Sequence, residues 1–225
     1  MEPNKKDKIE QIVNCFETGS KEGDYSDVTL FRDGPNRRLQ VTYGKAGVTE
    51  YGGNLKLLLN HYIEKKGAQA DAIQPYISKI GKIPSVIAVD KEFVALLKTA
   101  GHDPIMREAQ DEIFDSAYWK PAFKFFTDLG FTTNLAMLVI YDSFIHSGSI
   151  PSWLRNRFSE SPPSRGGDEK KWIKSYVETR HQWLKFHSNP LLRNTIYRTN
   201  TFKAAIAQDD WILDDVVNAN GVRVA

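Results

Sequence analysis

The amino-acid sequence predicts an α+β fold that is mostly helical and carries one small β-hairpin near its N-terminus. Two short stretches that favour strands, SDVTLF and RRLQVTYG, flank the turn-forming sequence RDGPN. From Gly53 onward apolar residues recur at helical spacing, and residues 131–146 are apolar almost all round, as in a central buried helix. A small sheet followed by a long series of helices is typical of the α+β class.

Length, charge and hydropathy limit the number of domains and the kinds of partner that we expect. With 225 residues, of which 41% are hydrophobic, the chain can bury a substantial core in one domain. Its 30 basic and 28 acidic residues nearly balance, so it lacks the broad basic field of a nucleic-acid-binding protein. No apolar run reaches the roughly 18 residues of a membrane-spanning helix. We therefore expect a single domain over residues 1–225, with neither nucleic acid nor membrane as a partner.

The first element is an amphipathic helix. Ile9, Ile12, Val13 and Phe16 follow the i, i+3, i+4, i+7 spacing of one helical face, and the helix is expected to end near Thr18. The hairpin comes next. Further helices are predicted from the segments NLKLLLNHYIEKK, AIQPYISKI, DKEFVALLKTAG (capped by Asp90), HDPIMREAQDEIFDSAYW (capped by Asp103), EKKWIKSYVETRHQWLKF, and residues 190–196 and 199–207.

Two carboxylates stand out in the stretch FETGSKEGDYSDVTLFRDG. Glu17 lies one helical turn after Val13, at the edge of the apolar face, where partial loss of water favours a protonated carboxyl group that can act as an acid. Asp33 lies at the predicted hairpin turn, where it stays ionised and can activate water as a base. Spacing alone does not distinguish this pair from a solvated helix end and an ordinary Asp-Gly turn.

The order of motifs resembles that of the glycoside hydrolase family 46 chitosanases, within the lysozyme-like superfamily. FETGS resembles the family's helix end with its glutamate, and VTYGKAG resembles its strand with a threonine and a glycine. REAQDEIFDSAYWKPAFKFFTDLGFTTNLAMLVIYDSFIHSG resembles the central helices, and GGDEKKWIKSYVETRHQWL resembles the start of a long helix that bears an arginine. The resemblance covers roughly residues 8 to 215.

The resemblance implies a two-lobed lysozyme-like fold with a substrate cleft between the lobes. It implies an endo-acting hydrolase that cleaves the β-1,4 bonds of chitosan with inversion and needs no metal or organic cofactor. Glu17 matches the general acid, Asp33 the general base, and Thr42 the threonine that holds the attacking water. Asp24 and Asp27 remain rivals for the base, because the segment between Asp33 and Thr42 is longer than in the family.

The expected substrate-binding residues are Tyr43, Glu50 and Asn54. Asn54 occupies the place of a family aspartate that engages the amino group of glucosamine, and Glu50 offers a nearby carboxylate in its stead.

A supporting ion network is expected around Asp142, which lies in the most apolar helix and therefore needs a cationic partner. Arg180 is one expected partner. The resemblance implies a second arginine behind the acid, for which we expect Arg193, with Arg198 as its rival.

Two other functions stay open at this point. One is a lysozyme-like hydrolase of peptidoglycan or partly acetylated chitin, which the neutral Asn54 favours. The other is a non-catalytic glycan-binding module on the same fold. We further expect a monomer. For location, a secreted protein whose leader is absent from this chain is expected, and a cytosolic protein stays open.

Overall fold

The structure, a computed structural model, describes residues 2–45 and 47–225. The chain forms two compact units, one of residues 24–116 and one that joins residues 2–23 to residues 117–225. The predicted fold class is confirmed, since helices dominate and a small antiparallel sheet lies near the N-terminus. No helix in the described part of the chain is long and apolar enough to span a bilayer.

The unit of residues 24–116 contains the predicted hairpin, extended by a short third strand. The strands pair antiparallel in the order β1–β2–β3, where β1 is Val28–Gly34, β2 is Arg38–Tyr43 and β3 is Val48–Thr49.

The pairing of β1 with β2 contains an irregularity. Phe31 lies opposite Gln40 and Gly34 lies opposite Arg38, so two residues of β1 face one residue of β2. Such a β-bulge kinks a strand and changes the direction of the side chains in it. Asp33 is one of the two residues in this bulge.

Four helices complete this unit, and both predicted aspartate caps are confirmed. The Asp90 side chain accepts hydrogen bonds from the backbone N–H groups of Glu92 and Phe93, and that of Asp103 accepts one from Ile105. Such caps satisfy the donors that a helix leaves free at its start. The helices are α2 (Asn54–Glu64), α3 (Ala70–Ile73), α4 (Lys91–Ala100) and α5 (Pro104–Phe114).

The helix predicted from AIQPYISKI is much shorter than expected. It ends at Ile73 and continues only as a 3-10 turn over Gln74–Tyr76. Pro75 lacks a backbone N–H and so cannot donate the hydrogen bond that would continue the α-helix, which outweighs the helical spacing of the apolar residues.

The other unit is built around a central helix, as predicted. Helix α7 (Asn134–Ser147) is buried continuously from Leu135 to Ser143. It packs against four other helices of the unit, namely α1 (Pro3–Thr18), α6 (Lys120–Asp128), α9 (Glu169–Lys185) and α11 (Tyr197–Ala207). Two short helices, α8 (Ser152–Arg155) and α10 (Pro190–Arg193), lie in the same unit. A side chain in the middle of α7 is therefore enclosed by protein.

A second hairpin near the C-terminus was not predicted. Strand β4 (Val217–Ala219) pairs with β5 (Val222–Val224) through a turn at Asn220 and Gly221. Both turn residues have positive φ, 53° and 87°, which is the geometry that an Asn-Gly pair favours.

Candidate active site

Glu17 lies in the last turn of α1. The preceding residue, Phe16, is buried and packs its ring against Tyr197 and Phe202, each at 5.8 Å between ring centroids. Gly19 closes the helix with a φ of 74°. The Glu17 side chain is 39% exposed, so it is anchored at its base and open to solvent at its end.

Arg198 holds the Glu17 carboxylate. Its Nη2 donates to Glu17 Oε1 at 2.5 Å, and its Nη1 donates to Asp142 Oδ1 at 2.7 Å. Arg180 Nη1 donates to the other oxygen of Asp142, Oδ2, at 2.6 Å. The structure thus joins Glu17, Arg198, Asp142 and Arg180 in one chain of ion pairs.

The electrostatics of this chain follow from burial and charge. Burial would raise the pKa of Asp142, but the guanidinium groups of Arg180 and Arg198 outweigh it, so the pKa lies below its usual range. Burial would lower the pKa of Arg198, and the carboxylates of Asp142 and Glu17 raise it overall. The buried charges of Asp142, Arg180 and Arg198 are therefore each balanced by a neighbouring opposite charge. Removing one of them leaves another uncompensated.

The expectation for Arg193 needs correction. Arg193 is exposed, and its Nη1 donates to the backbone carbonyls of His187 and Ser188. Arg198, the rival, is the second arginine of the network. It lies at the start of α11 with only 3% of its side chain exposed, whereas Arg193 ends the separate short helix α10.

Asp33 lies in the bulge of β1, beside the turn where it was expected, and is exposed. Its Oδ1 accepts a hydrogen bond from Gln40 Nε2 at 2.9 Å. Gln40 is buried, and its Oε1 accepts from the backbone N–H of Tyr51 at 3.1 Å. The buried Gln40 amide is therefore fixed through its oxygen by the Tyr51 backbone, and through its nitrogen it holds the Asp33 carboxylate.

Sequence reasoning missed Gln40. The only signal was an amide placed between the alternating apolar residues of a predicted strand. Its partner across the hairpin depends on a bulge that the strand pattern does not reveal.

The rivals for the base have different surroundings. The Asp24 carboxylate accepts hydrogen bonds from the backbone N–H and the hydroxyl of Ser26, both at 2.8 Å, and these bonds lower its pKa. Asp24 therefore closes a local turn. Asp27 is exposed, and its backbone carbonyl accepts from Gly44 N–H at 2.8 Å.

Thr42 lies in β2, opposite Thr29 on one side and Thr49 on the other. Its hydroxyl oxygen is buried and has no hydrogen-bond partner within residues 2–45 and 47–225. A buried hydroxyl without a protein partner is unusual, because leaving it unsatisfied costs free energy. The hydrogen-bonding capacity of this hydroxyl is therefore not used by the described residues.

Two of the expected substrate-binding residues need correction. Tyr43 is buried, and its hydroxyl donates to the Leu97 carbonyl at 2.8 Å. Glu50 is 2% exposed, and its carboxylate accepts from Gly81 N–H and from the Ser85 hydroxyl. Both side chains are committed to the interior of the unit and do not face solvent. Burial was the deciding factor, which alternation along a short strand did not reveal.

Asn54, the third expected binding residue, is exposed at the first position of α2. Gly53 precedes it with a φ of 81°, a conformation that glycine adopts without strain. The amide side chain is therefore presented at a helix start.

No cluster of three or more His, Cys, Asp or Glu residues suited to a metal ion occurs in the described chain.

A pair of carboxyl groups, one as the acid and the other as the base, is the catalytic arrangement of inverting glycoside hydrolases. The sequence model of Glycosyl hydrolase family 46 matches residues 11–214. The chain belongs to glycosyl hydrolase family 46, and it is therefore a glycoside hydrolase rather than a non-catalytic binding module.

Similar proteins agree with this assignment. A chitosanase of Bacillus subtilis (strain 168) is 25% identical over 231 residues, which cover 96% of this chain and 81% of the relative. The structure of native chitosanase from Bacillus subtilis MY002 matches over 100% of both chains, with a TM-score of 0.80 and 24% identity. A family 46 chitosanase of Gynuella sunshinyii, in complex with chitotetraose, matches over 99% of this chain and 97% of its own, with a TM-score of 0.79 and 20% identity. The structural likenesses establish the fold.

Proposed function

We propose that this glycoside hydrolase cleaves β-1,4 bonds within chitosan chains by an inverting mechanism, with Glu17 as general acid and Asp33 as general base. The observation that carries the proposal is the chain of ion pairs that ends at Glu17. A solvent-accessible carboxyl group fixed by buried charges is suited to deliver a proton at one defined position.

In the proposed reaction, the Glu17 carboxyl group transfers its proton to the glycosidic oxygen as the bond from that oxygen to the anomeric carbon breaks. The leaving sugar departs as an alcohol. Arg198 then stabilises the carboxylate that remains on Glu17, through the hydrogen bond that it already makes.

On the other face of the sugar, the oxygen of a water molecule bonds to the anomeric carbon and Asp33 accepts the proton that the water loses. Inversion requires the two carboxyl groups to be about 6.5–9.5 Å apart, with the water between Asp33 and the sugar. Gln40 holds Asp33, and the unpartnered Thr42 hydroxyl supplies a hydrogen bond for the water.

Chitosan is the proposed substrate because the relatives point to it. Bacillus subtilis chitosanase is similar along nearly the whole chain, and a mutant chitosanase of strain MY002 with the same fold is described in complex with 6 GlcN. These relatives favour chitosan over peptidoglycan or chitin, although Asn54 replaces an acidic residue expected at its position.

The proposal extends to the assembly and location of the enzyme. One family model spans residues 11–214, so we propose that residues 1–225 act as one catalytic domain, and we further propose that this domain acts as a monomer. A polymeric substrate does not enter cells, so we propose that the enzyme acts outside the cell.

The test compares the release of reducing ends from chitosan, chitin oligomers and peptidoglycan by the wild type and by Glu17→Gln. We expect chitosan to be the preferred substrate and Glu17→Gln to lower turnover by at least about a hundredfold, the lower end of general-acid contributions. Binding of a glucosamine oligomer should remain, because the variant keeps the size of the side chain.

Glu22→Gln is the matched control, because Glu22 is an exposed glutamate five residues along the same unit. It should keep full activity. A folded Glu17→Gln protein with near-normal turnover would refute the role of Glu17, and preferential cleavage of peptidoglycan would refute the substrate.

A further inference from the structure

A cavity with features of a sugar-binding site lies in the unit of residues 2–23 and 117–225. It has a volume of about 450 Å³, within the range typical of small-molecule sites. It lies where α7 ends and α8 begins, and its lining includes His146, Ser147, Ser149, Ser152, Trp153 and Trp183.

Two tryptophans form a fixed aromatic wall. Trp153 is 45% exposed, so part of its indole ring faces solvent. Trp183 meets it edge to face at 5.1 Å between ring centroids, and His187 in turn meets Trp183 at 5.2 Å. An exposed indole held by neighbouring rings offers a rigid platform, on which the apolar face of a pyranose ring can stack.

The rest of the lining offers neutral hydrogen-bonding groups. The serine hydroxyls can donate or accept, as sugar hydroxyls require. The loop that carries Ser149 is fixed, because its carbonyl accepts from the Ser143 hydroxyl at 2.9 Å. Burial, together with the charges of Arg180 and Arg198, lowers the pKa of His146 to about 4, so its imidazole is neutral near pH 7.

The charges around the cavity select against a cationic sugar. Neither Asp nor Glu occurs among the described residues that line it. The guanidinium of Arg157 lies 5.3 Å from the centre of a Trp153 ring. A glucosamine unit would bring its ammonium group into a cavity whose described lining holds no carboxylate to pair with it, whereas an N-acetylglucosamine unit carries no charge.

We propose that this cavity binds N-acetylglucosamine units of the substrate polymer, with Trp153 as the stacking platform. The inference rests on the proposed function, because it takes the ligand from the polymer that the enzyme cleaves. On this proposal the enzyme prefers partly acetylated chitosan chains, and the preference comes from residues other than the proposed acid and base.

The experiment follows the indole N–H resonances of the full chain by NMR, assigned with Trp153→Phe and Trp183→Phe, during titration with N-acetylglucosamine pentamer or glucosamine pentamer. All of these proteins also carry Glu17→Gln, so that neither pentamer is hydrolysed during the titration. We expect the acetylated pentamer to shift the Trp153 and Trp183 signals and to bind there at least about tenfold more tightly than the deacetylated one, a difference of about 1.4 kcal/mol. Calorimetry should show at least about a tenfold loss of affinity in Trp153→Ala and near-normal affinity in Trp153→Phe. Phe186→Ala, which removes an exposed aromatic ring that does not line the cavity, is the control and should bind normally.

Equal shifts with both pentamers would overturn the preference for a neutral sugar, and an absence of shifts with either would overturn the site itself. Because binding is read at Trp153 and Trp183, the result is separate from hydrolysis. A protein that binds the acetylated pentamer here but does not cleave chitosan would contradict the proposed function and leave this site standing.

Discussion

At the residue scale, the ion network shows how far charge and burial can be inferred from sequence. Asp142 is surrounded by apolar residues in the sequence, so its need for a cationic partner could be predicted without coordinates. The sequence does not reveal which arginine pairs with Asp142, because Arg193 and Arg198 are only five residues apart in the chain and lie in different helices. A 3-10 turn over Asn194–Ile196 separates them, and of the two only Arg198 is buried.

The network predicts a large cost for removing its central charge. Asp142→Ala leaves two buried guanidinium groups without their shared partner, so we expect the free energy of unfolding to fall by about 3–5 kcal/mol. Urea unfolding followed by circular dichroism measures this change. Arg193→Ala is the control, because this exposed arginine lies outside the network, and its effect should stay within about 0.5 kcal/mol. Equal stability of Asp142→Ala and the wild type would show that the network does not stabilise the fold.

At the element scale, local signals predicted the start of helices better than the details of strands. The caps at Asp90 and Asp103 and the end of α1 follow from single residues with strong preferences. The second hairpin also had a local signal, an Asn-Gly pair between alternating valines, which the sequence interpretation did not use. The bulge in β1 had no such signal, because it depends on how the two strands align around the turn.

The bulge gives Gln40 a role that can be tested. Gln40→Met removes the hydrogen bond to Asp33 while nearly keeping the side-chain volume, so Asp33, the proposed base, loses its fixed position. We expect kcat to fall about ten- to hundredfold, with KM for a glucosamine oligomer nearly unchanged. Steady-state kinetics, together with a melting curve that shows a folded protein, measure the effect.

Gln74→Met is the matched control for this change, since Gln74 is exposed in the same unit. It should leave kcat unchanged. A rise in KM without a fall in kcat in Gln40→Met would show that Gln40 supports substrate binding rather than the position of Asp33.

At the scale of the whole molecule, the buried charges make stability depend on pH. His146 has a pKa of about 4 in the folded protein, against about 6.5 for an unperturbed histidine. Between these values the unfolded chain binds a proton that the folded protein does not, so stability falls as the pH is lowered from about 6.5 to about 4.

We expect His146→Gln to remove this part of the acid sensitivity. Since the side chain is partly exposed, the difference in unfolding free energy between variant and wild type should grow by on the order of 2 kcal/mol from pH 7 to pH 4. Urea unfolding at several pH values measures it, with the exposed His102→Gln as control. A constant difference across this range would contradict a neutral, partly buried His146.

In the proposed function, the acid is a residue of one compact unit and the base is a residue of the other. Family and fold class could be predicted from the order of motifs along the chain. The interior positions of Tyr43 and Glu50 could not be predicted from the sequence. The burial of a short strand or a loop depends on helices that are distant in sequence.

An acid and a base that act on opposite faces of the sugar fix the stereochemistry of the product. Proton NMR of the reducing ends released from a glucosamine hexamer, recorded before the anomers equilibrate, measures it directly. We expect the α anomer to appear first, because a water molecule activated by Asp33 attacks the face opposite the β-linked leaving group. Initial appearance of the β anomer would contradict the pairing of Glu17 as acid with Asp33 as base.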